Sequence, residues 1–202
     1  MPTHGIFPTP VGMYQLRELT EIQRAWIVSR PTLSNAKNRI SEQKCVLDEE
    51  IMAPVRSQIE TYLDEYFREI YTHSNSVSLR ITQSWCNYAG AGEAHHRHLH
   101  PNSIVSGVYY PQTTDEDTIT FYNTKIYARA FALKVSQYNE FNSLSWWMPT
   151  TQGSMILFPS ELEHSVNARS STTAPDRISL SFNTFLTGDI GDEDAVNRLV
   201  IP

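Results

Sequence analysis

The sequence predicts an α+β domain in which helices come first and a series of short strands follows. Apolar residues recur at spacings of three and four through residues 48–71, which is the pattern of a helix with one buried face. After residue 76 the period changes to the alternation of strands, which continues in short runs to residue 186. Helices followed by many short strands favour a β-sandwich or barrel with the N-terminal helices packed on one sheet.

The length, charge and cysteine content limit the possible classes of protein. The 202 residues are enough for one core, so we predict one domain: 1–76 with an extended segment and helices, 77–187 as the β core, and 188–202 as a polar tail. A formal net charge of −6 argues against binding along a nucleic-acid backbone. Cys45 and Cys86 form no CxxC pair, so neither a zinc knuckle nor a disulfide framework is indicated. Since no signal peptide and no membrane-length apolar run is present, we expect a cytoplasmic protein.

The N-terminal third is predicted to contain an extended edge segment and two helices. Two prolines in residues 6–14 predict an extended segment lying over the core. Residues 19–28 are predicted to form a short helix and residues 32–44 a loop. The longest helix is predicted over Asp48–Tyr71, where Pro54 is tolerable only because it falls in the first turns. We expect the apolar stripe of this helix to pack against a sheet. Its members are Ile51, Val55, Ile59, Leu63, Phe67 and Ile70.

Six strands are predicted in the remaining chain, at residues 77–85, 103–110, 118–122, 144–148, 154–158 and 176–186. Residues 123–143 are irregular and are interpreted as an insertion or lid. In the last strand Ile178, Leu180 and Phe182 should face one way. The polar residues should face the other way, and they are Arg177, Ser179, Ser181 and Asn183.

Four of the seven histidines lie within residues 95–100, in the run His-His-Arg-His-Leu-His followed by Pro101. In an extended segment His96, His98 and His100 would share one face, and His95 would point the other way. Two imidazoles at positions i and i+2 can share a metal ion, with a third ligand from elsewhere in the chain. A solvated, His-rich turn is the alternative for this stretch taken alone.

Further motifs follow in a characteristic order. They are Trp85-x-Asn87, His98-x-His100-Pro101, Ser106-Gly107-Val108-Tyr109-Tyr110, Phe158-Pro159, His164-x-Val166, and Arg177-Ile178-Ser179 before Phe182-Asn183. This order resembles the 2-oxoglutarate/Fe(II)-dependent oxygenase superfamily, and more closely a group of such oxygenases from marine bacteria and their phages. The segment Phe7-Pro8-Thr9-Pro10-Val11 is similar to the N-terminal segment of that group, so the resemblance spans nearly the whole chain.

The resemblance implies a double-stranded β-helix (jelly-roll, cupin-like) core and a cofactor set of Fe(II) with 2-oxoglutarate as cosubstrate. It implies that His98, His100 and His164 are the metal ligands. It also implies that Arg177 pairs with the distal carboxylate of 2-oxoglutarate and that Ser179 adds a hydroxyl donor. Arginine suits that task because its planar fork makes two charge-assisted bonds to a carboxylate. Weaker candidates for cosubstrate contact are Tyr110 and Asn87. No catalytic residue beyond the ligands is expected.

The family usually has a carboxylate where this sequence has His100. Three neutral imidazoles leave the metal more positive, which favours an anionic chelating cosubstrate or an oxygenase chemistry without 2-oxoglutarate. Residues 115–117 are acidic, but a solvated turn is the preferred interpretation for them. Arg177 could instead form a structural ion pair, with Asp176 as a partner. His95 has no predicted role.

Other assignments stay open at this point. A His96/His98 pair is an alternative ligand set, although Gly92 and Pro101 favour His98 and His100. Trp146 and Trp147 are predicted to pack in the core or a lid rather than to serve as substrate platforms. The alternatives in function are a three-histidine dioxygenase that does not use 2-oxoglutarate, and a non-catalytic cupin-like binding protein. The substrate, a small molecule or a peptide, is not identified. The oligomeric state is open, with a homodimer as one option.

Overall fold

Two antiparallel β-sheets form the body of the protein in a computed structural model that describes residues 4–72, 76–124 and 134–202. The strands are β1 (Gly12–Gln15), β2 (Thr32–Asn35), β3 (Asn38–Ser41), β4 (Val77–Ala89), β5 (His95–His98), β6 (Val105–Gln112), β7 (Thr118–Tyr122), β8 (Ser145–Pro149), β9 (Ser154–Pro159), β10 (His164–Val166), β11 (Arg177–Ile190) and β12 (Leu199–Ile201). The larger sheet has the order β1-β9-β6-β11-β4-β3-β2, with β12 paired to β11. The smaller sheet has the order β5-β10-β7-β8.

The two sheets pack face to face through an apolar cluster. Tyr110 of β6, Phe158 of β9, and Ile119 and Phe121 of β7 belong to it, and the rings of Phe121 and Phe158 lie 5.2 Å apart in an edge-on arrangement. This double layer confirms the predicted α+β class with a sandwich core. The opposite face of the larger sheet is covered by helix, as described next.

Two α-helices precede the main strands, α1 (Glu21–Val28) and α2 (Ala53–Tyr71). The start of α1 is fixed by a capping box, in which Thr20 Oγ1 accepts from the backbone of Gln23 and the Gln23 side chain accepts from the backbone of Thr20. The predicted start of the long helix at Asp48 is wrong, because residues 46–48 and 50–52 form 3₁₀ turns and α2 begins at Ala53. Pro54 lies in the first turn, where its missing N–H costs no helical hydrogen bond.

The apolar face of α2 packs on the larger sheet, as predicted. Val55, Ile59 and Leu63 are buried in one cluster with Leu180 and Phe182 of β11. Burial of this face removes apolar side chains from water, at roughly 25 cal/mol per Å². Ile70, at the end of the predicted stripe, is 38% exposed and lies outside the buried cluster. The helix therefore serves the core and holds the larger sheet from behind.

Three predictions outside the site need correction or lie beyond the described residues. Residues 32–44 are not a simple loop, since β2 and β3 form a hairpin whose register ends at Asn35 and Asn38. The tail from Gly188 is partly strand, because β11 continues to Ile190 and pairs with β12. Of the predicted insertion at 123–143, residues 125–133 lie outside the described chain. None of the helices in the described ranges is long and apolar enough to cross a membrane.

Candidate active site

Strand pairing in the smaller sheet brings three histidines together. His98 on β5 lies directly opposite His164 on β10, so their side chains share one face. His100 follows two residues after the end of β5, and its backbone N–H donates to the carbonyl of Ser160 at 2.9 Å. One ring nitrogen from each of the three histidines lies within 4.8 Å of the others. His96 is exposed and is not part of this cluster.

The hydrogen bonds of two rings determine which nitrogen carries the proton. His98 Nδ1 lies 2.7 Å from the carbonyl oxygen of His96, and His164 Nδ1 lies 3.0 Å from that of Leu162. A carbonyl oxygen only accepts, so both Nδ1 atoms are the donors in these bonds. In the neutral rings Nε2 is then left with a free lone pair, which is the form of imidazole that binds a metal.

Burial keeps these rings neutral. Desolvation lowers the pKa of His164 to about 3 and that of His100 to about 4, and it also lowers the pKa of His98. The two atoms His100 Nε2 and His164 Nε2 are 3.3 Å apart. Two nitrogens bound to one metal at about 2.1 Å and at a right angle would be about 3 Å apart. The donor set therefore fits a divalent metal such as Fe(II).

A fourth histidine lies in the cavity, contrary to the face predicted for it from simple strand alternation. His95 lines the same cavity, and its ring stacks on that of His98 with centroids 4.3 Å apart. The cause is an irregularity in the antiparallel pairing. His164 pairs with His98 and Val166 pairs with His95, so two residue steps along β10 correspond to three along β5. One extra residue on β5 is a β-bulge, and it turns His95 onto the face of His98. The predicted simple alternation over residues 95–98 is therefore wrong.

The residues predicted to bind 2-oxoglutarate line this cavity as well. They are Asn87, Tyr110, Arg177 and Ser179. Their positions follow from the larger sheet, in which β11 pairs with β4 and Ser179 lies opposite Asn87. The predicted division of β11 into two faces is confirmed, since Arg177, Ser179 and Ser181 line the cavity whereas Ile178, Leu180 and Phe182 are in the core.

Two of these polar groups are buried without a hydrogen bond in the described chain. They are the hydroxyl of Tyr110 and Oδ1 of Asn87. Burial raises the pKa of Tyr110, so its hydroxyl stays protonated and can donate. Asn87 Nδ2 lies 3.1 Å from Ser181 Oγ, and exchanging the amide's oxygen and nitrogen would let Ser181 donate to Oδ1 and turn Nδ2 toward the cavity. Unpaired buried polar groups cost free energy, and an anion placed here would accept from them.

Arg177 is held by a buried acid. Its Nη1 donates to Asp117 Oδ1 at 2.9 Å, and Arg169 Nη1 lies 3.8 Å from Asp117 Oδ2. The interpretation of residues 115–117 as a solvated turn is therefore wrong for Asp117, because its side chain has no exposed area. It is right for Asp115 and Glu116, which are exposed. The suggested Asp176 partner is also wrong, because Asp176 pairs with Arg39.

Four further residues complete the surroundings of the site or depart from expectation. Trp85 lines the cavity, and its ring stacks on that of His100 with centroids 5.8 Å apart. Asn183 also contacts His100, and this contact partly opposes the lowering of the His100 pKa by burial. Both Trp85 and Asn183 could have been found from the sequence, because Trp85 belongs to the Trp85-x-Asn87 motif and Asn183 directly follows Phe182 in the last motif. Core packing of Trp146 and Trp147 is wrong, since the two are 50% and 64% exposed.

A larger cavity, of about 830 Å³, lies between the end of α2 and the β11–β12 hairpin. Its lining shares no residue with the histidine cavity. Two of the four acids in its lining, Asp189 and Glu193, pair with Arg198. The concentration of neutral imidazoles and unpaired donors marks the smaller, histidine-lined cavity as the reactive one.

A comparison with known sequences points to the part of the chain that contains the histidine-lined cavity. A sequence model of the family described as "Putative 2OG-Fe(II) oxygenase" matches residues 83–183, half of the chain. The chain belongs to this family of 2-oxoglutarate/Fe(II) oxygenases. The matched region contains His98, His100, His164 and Arg177. As a member of the family, the protein is an oxidoreductase that depends on Fe(II) and uses 2-oxoglutarate as cosubstrate. No curated protein matches the sequence.

Solved structures of oxygenases share the fold of this family member. A 2OG-Fe(II) oxygenase-family oxidoreductase from Burkholderia pseudomallei aligns with a TM-score of 0.56 at 11% identity, over 80% of this chain and 74% of that one. The α-ketoglutarate-dependent epimerase SnoN of nogalamycin biosynthesis aligns with 0.58 at 12% identity, over 88% and 80%. HygX from Streptomyces hygroscopicus, with nickel, 2-oxoglutarate and hygromycin B bound, aligns with 0.57 at 11% identity, over 87% and 82%. These likenesses confirm the double-stranded β-helix fold and do not identify a substrate.

Proposed function

We propose that this oxygenase hydroxylates an organic substrate at an Fe(II) centre held by His98, His100 and His164. The observation that carries the proposal is that three neutral imidazoles and the Arg177–Ser179 pair line one cavity. Fe(II) in this setting, with 2-oxoglutarate and dioxygen, supplies the oxidative decarboxylation of 2-oxoglutarate to succinate and CO2 that is coupled to hydroxylation. The protein's task is to hold the metal, orient the cosubstrate and keep the cavity dry.

In this proposal the histidines bind through Nε2. The carbonyl acceptors of His98 and His164 hold their rings in the required tautomer and orientation. His100 takes the position that a carboxylate usually has in the superfamily. Because all three ligands are neutral, the metal keeps its full positive charge, and this favours a dianionic chelator such as 2-oxoglutarate.

Arg177 is proposed to bind the distal carboxylate of 2-oxoglutarate. Both hydrogen bonds that Arg177 makes within the described residues come from Nη1, to Asp117 and to the carbonyl of Asn167. The donors on Nη2 and Nε are left for a carboxylate, and a planar guanidinium can offer both at once. The hydroxyls of Ser179 and Tyr110 and the amide of Asn87 would add neutral donors to the same anion.

The alternatives of a three-histidine dioxygenase without 2-oxoglutarate and of a non-catalytic cupin-like protein are less favoured. Direct binding of a substrate to the metal would not need a buried guanidinium with free donors in the same cavity. A purely structural protein would not be expected to leave the hydroxyl of Tyr110 buried without a partner. Both features match the needs of a dianionic cosubstrate.

A titration under anaerobic conditions tests the proposal. Fe(II) is added to the metal-free protein and bound iron is measured, and 2-oxoglutarate is then added while the visible charge-transfer absorption is recorded. We expect one Fe(II) per chain and an absorption band that saturates with 2-oxoglutarate. Admission of oxygen should then give succinate slowly, even without substrate. Iron binding without any response to 2-oxoglutarate would favour the alternative dioxygenase, and no iron binding would favour the cupin-like protein.

We further propose a cytoplasmic location (the host-cell cytoplasm, if the chain is of phage origin) and a small-molecule or peptide substrate, with no role for nucleic acid or membrane. The unpaired thiols of Cys45 and Cys86 suit a reducing compartment. Fractionation of cells producing the full chain tests the location. Sedimentation at several concentrations tests whether the chain forms a homodimer.

A further inference from the structure

Asn38 is a buried polar residue in the lining of the histidine-lined cavity. It is the first residue of β3 and is only 5% exposed. Its Oδ1 is buried without a hydrogen bond, and none of the hydrogen bonds of the described residues involves its Nδ2. The family's sequence model matches residues 83–183, so the family assigns Asn38 no role. Burying an unpaired amide costs free energy, and this amide therefore indicates a polar ligand in the cavity.

Strand pairing places Asn38 in one row with Arg177. Arg39 is the partner of Tyr88 in the pairing of β3 with β4. Because these strands are antiparallel, the next step of the register places Asn38 beside Ala89. Ala89 in turn pairs with Arg177 on β11. Residues opposite each other in antiparallel strands project from the same face, so the row spans two strand spacings, or about 10 Å between its outer backbones.

The space over the middle of this row is free for an anion. The side chain of Ala89 is a single methyl group, so no long side chain of β4 separates Asn38 from Arg177. Asp117, which accepts from Arg177 Nη1, lies in the turn between β6 and β7. β6 is on the side of β11 opposite to β4 and β3. An anion over Ala89 can therefore be bound by Arg177 from one side and by Asn38 from the other.

The edges of the two sheets meet beside Asn38. The backbone N–H of Ala94 donates to the carbonyl of Lys37 at 3.1 Å, which joins the β2–β3 turn to the residue before β5. Arg39, the next residue on β3, projects outward and pairs with Asp176 at the surface. Since side chains alternate along a strand, Asn38 projects inward, between the two sheets.

From this arrangement we infer that Asn38 is a specificity-determining residue for the cosubstrate, whose amide donates to the distal carboxylate of the 2-oxo acid from the side opposite Arg177. The inference rests on the proposed function and deepens it, because it makes the site selective for 2-oxo acids with a second carboxylate. An amide adds a donor without adding a charge. Rotation of the side chain exchanges its oxygen and nitrogen, so Nδ2 can turn to the anion.

Asn38→Leu is the test variant, because it keeps the approximate side-chain size and removes both polar atoms. Since the amide has no partner in the described chain, we expect this variant to be at least as stable as the wild type in urea unfolding. A marked loss of stability would show that the fold itself uses the amide and would overturn the inference. Asn35→Leu is the control, because Asn35 faces Asn38 across the same hairpin but does not line the cavity.

Two ligands separate binding of the distal carboxylate from binding of the rest of the molecule. 2-Oxoglutarate and 2-oxovalerate have the same five-carbon chain and the same 2-oxo acid, but 2-oxovalerate ends in a methyl group. Their dissociation constants are measured by anaerobic absorption titration of the Fe(II) protein. We expect Asn38→Leu to bind 2-oxoglutarate about tenfold more weakly than the wild type does and to bind 2-oxovalerate equally well. Asn35→Leu should match the wild type with both ligands.

Three results would overturn the inference. They are wild-type affinity of Asn38→Leu for 2-oxoglutarate, an equal loss with both ligands, and an equal loss in Asn35→Leu. A second variant, Asn38→Asp, keeps the shape and adds a negative charge, so it should weaken 2-oxoglutarate more than Asn38→Leu does. If the wild-type protein itself gives no response to 2-oxoglutarate, the proposed function fails and the inference fails with it. A normal wild-type response that Asn38→Leu retains in full removes the inference alone.

Discussion

Asp117 Oδ1 accepts a 2.9 Å hydrogen bond from Arg177 Nη1, and both side chains are buried. The other carboxylate oxygen accepts from the backbone and hydroxyl of Thr114, at 2.8 and 3.2 Å. Arg169 lies near the same carboxylate, and its Nε and Nη1 make no hydrogen bond in the described chain. One buried acid therefore faces two buried cations. It orients the guanidinium of Arg177 while the cluster keeps a net positive charge.

Asp117→Asn is expected to destabilise the fold. The substitution keeps the side-chain size but removes the one negative charge that faces two buried guanidinium groups. Breaking a buried ion pair costs about 3–5 kcal/mol. Urea unfolding followed by far-UV circular dichroism measures this change. Asp115→Asn in the same turn is the control, because Asp115 is exposed and its replacement should change the free energy of unfolding by under about 0.5 kcal/mol. Equal stability of the two variants would contradict the role of Asp117.

Arg177→Lys is expected to weaken 2-oxoglutarate binding without changing metal binding. Lysine keeps a cation beside Asp117 but lacks the planar fork that pairs with a carboxylate through two bonds. We expect a loss of about 2 kcal/mol, near thirtyfold in dissociation constant. Anaerobic titration of the Fe(II) protein with 2-oxoglutarate measures it.

A second variant, Arg177→Met, removes the guanidinium altogether and leaves Asp117 facing one buried cation, Arg169. It should bind Fe(II) like the wild type and show little response to 2-oxoglutarate. Wild-type affinity for 2-oxoglutarate in either variant would remove Arg177 from its proposed role.

His98→Ala and His164→Ala are each expected to reduce metal affinity by two orders of magnitude or more. Each variant leaves two of the three imidazoles, and an incomplete facial set binds Fe(II) weakly. Equilibrium dialysis against Fe(II) under anaerobic conditions measures the affinity. His96→Ala is the control, because His96 is exposed and lies outside the three-histidine cluster, and the substitution keeps its backbone carbonyl, which accepts from His98 Nδ1. Full Fe(II) stoichiometry in both test variants would show that the assignment is wrong.

Local sequence patterns were sufficient to predict which side chains are buried where one face of a helix or strand packs against the core. The alternation in β11 separated Arg177 and Ser179 from Ile178 and Leu180 without knowledge of the fold. The 3.6-residue period likewise predicted the buried face of α2. In both cases the signal and its cause lie within one element.

Features created by pairing between distant residues could not be predicted in this way. The bulge that turns His95 toward His98 arises where β5 meets β10, more than 60 residues later in the chain. The burial of Asp117 depends on Arg169 and Arg177 in the same manner. An acidic turn looks solvated in the sequence because its cationic partners come 52 and 60 residues afterwards. The choice of His98 and His100 as the proposed ligands needed the family's motif order as well, since spacing alone left His96 open.

The glycine in the Ser-Gly-Val-Tyr-Tyr motif has a packing role that leads to a further prediction. A Cβ built on Gly107 would lie 2.1 Å from Cζ of Phe182, which is fully buried in the core opposite it. Gly107→Ala should therefore force the ring to move and cost about 1–3 kcal/mol of unfolding free energy. Thermal and urea unfolding measure the loss. Adding Phe182→Leu should recover part of it, and a double variant less stable than the sum of the two single changes would contradict this explanation.

His100 provides the sharpest test of the three-histidine centre. Its Nε2 lies 3.3 Å from that of His164, and its ring packs against Trp85. If His100 is a ligand, His100→Ala should lose most of the bound iron, while His100→Asp should keep it, because a carboxylate oxygen is the superfamily's more common donor at this position. In the Asp variant 2-oxoglutarate should bind more weakly than in the wild type, since the added negative charge reduces the attraction of the centre for a dianion. Both quantities come from the same anaerobic titration. Wild-type iron affinity in the Ala variant would leave His100 as a neighbour of the metal, and the three-histidine assignment would have to be replaced.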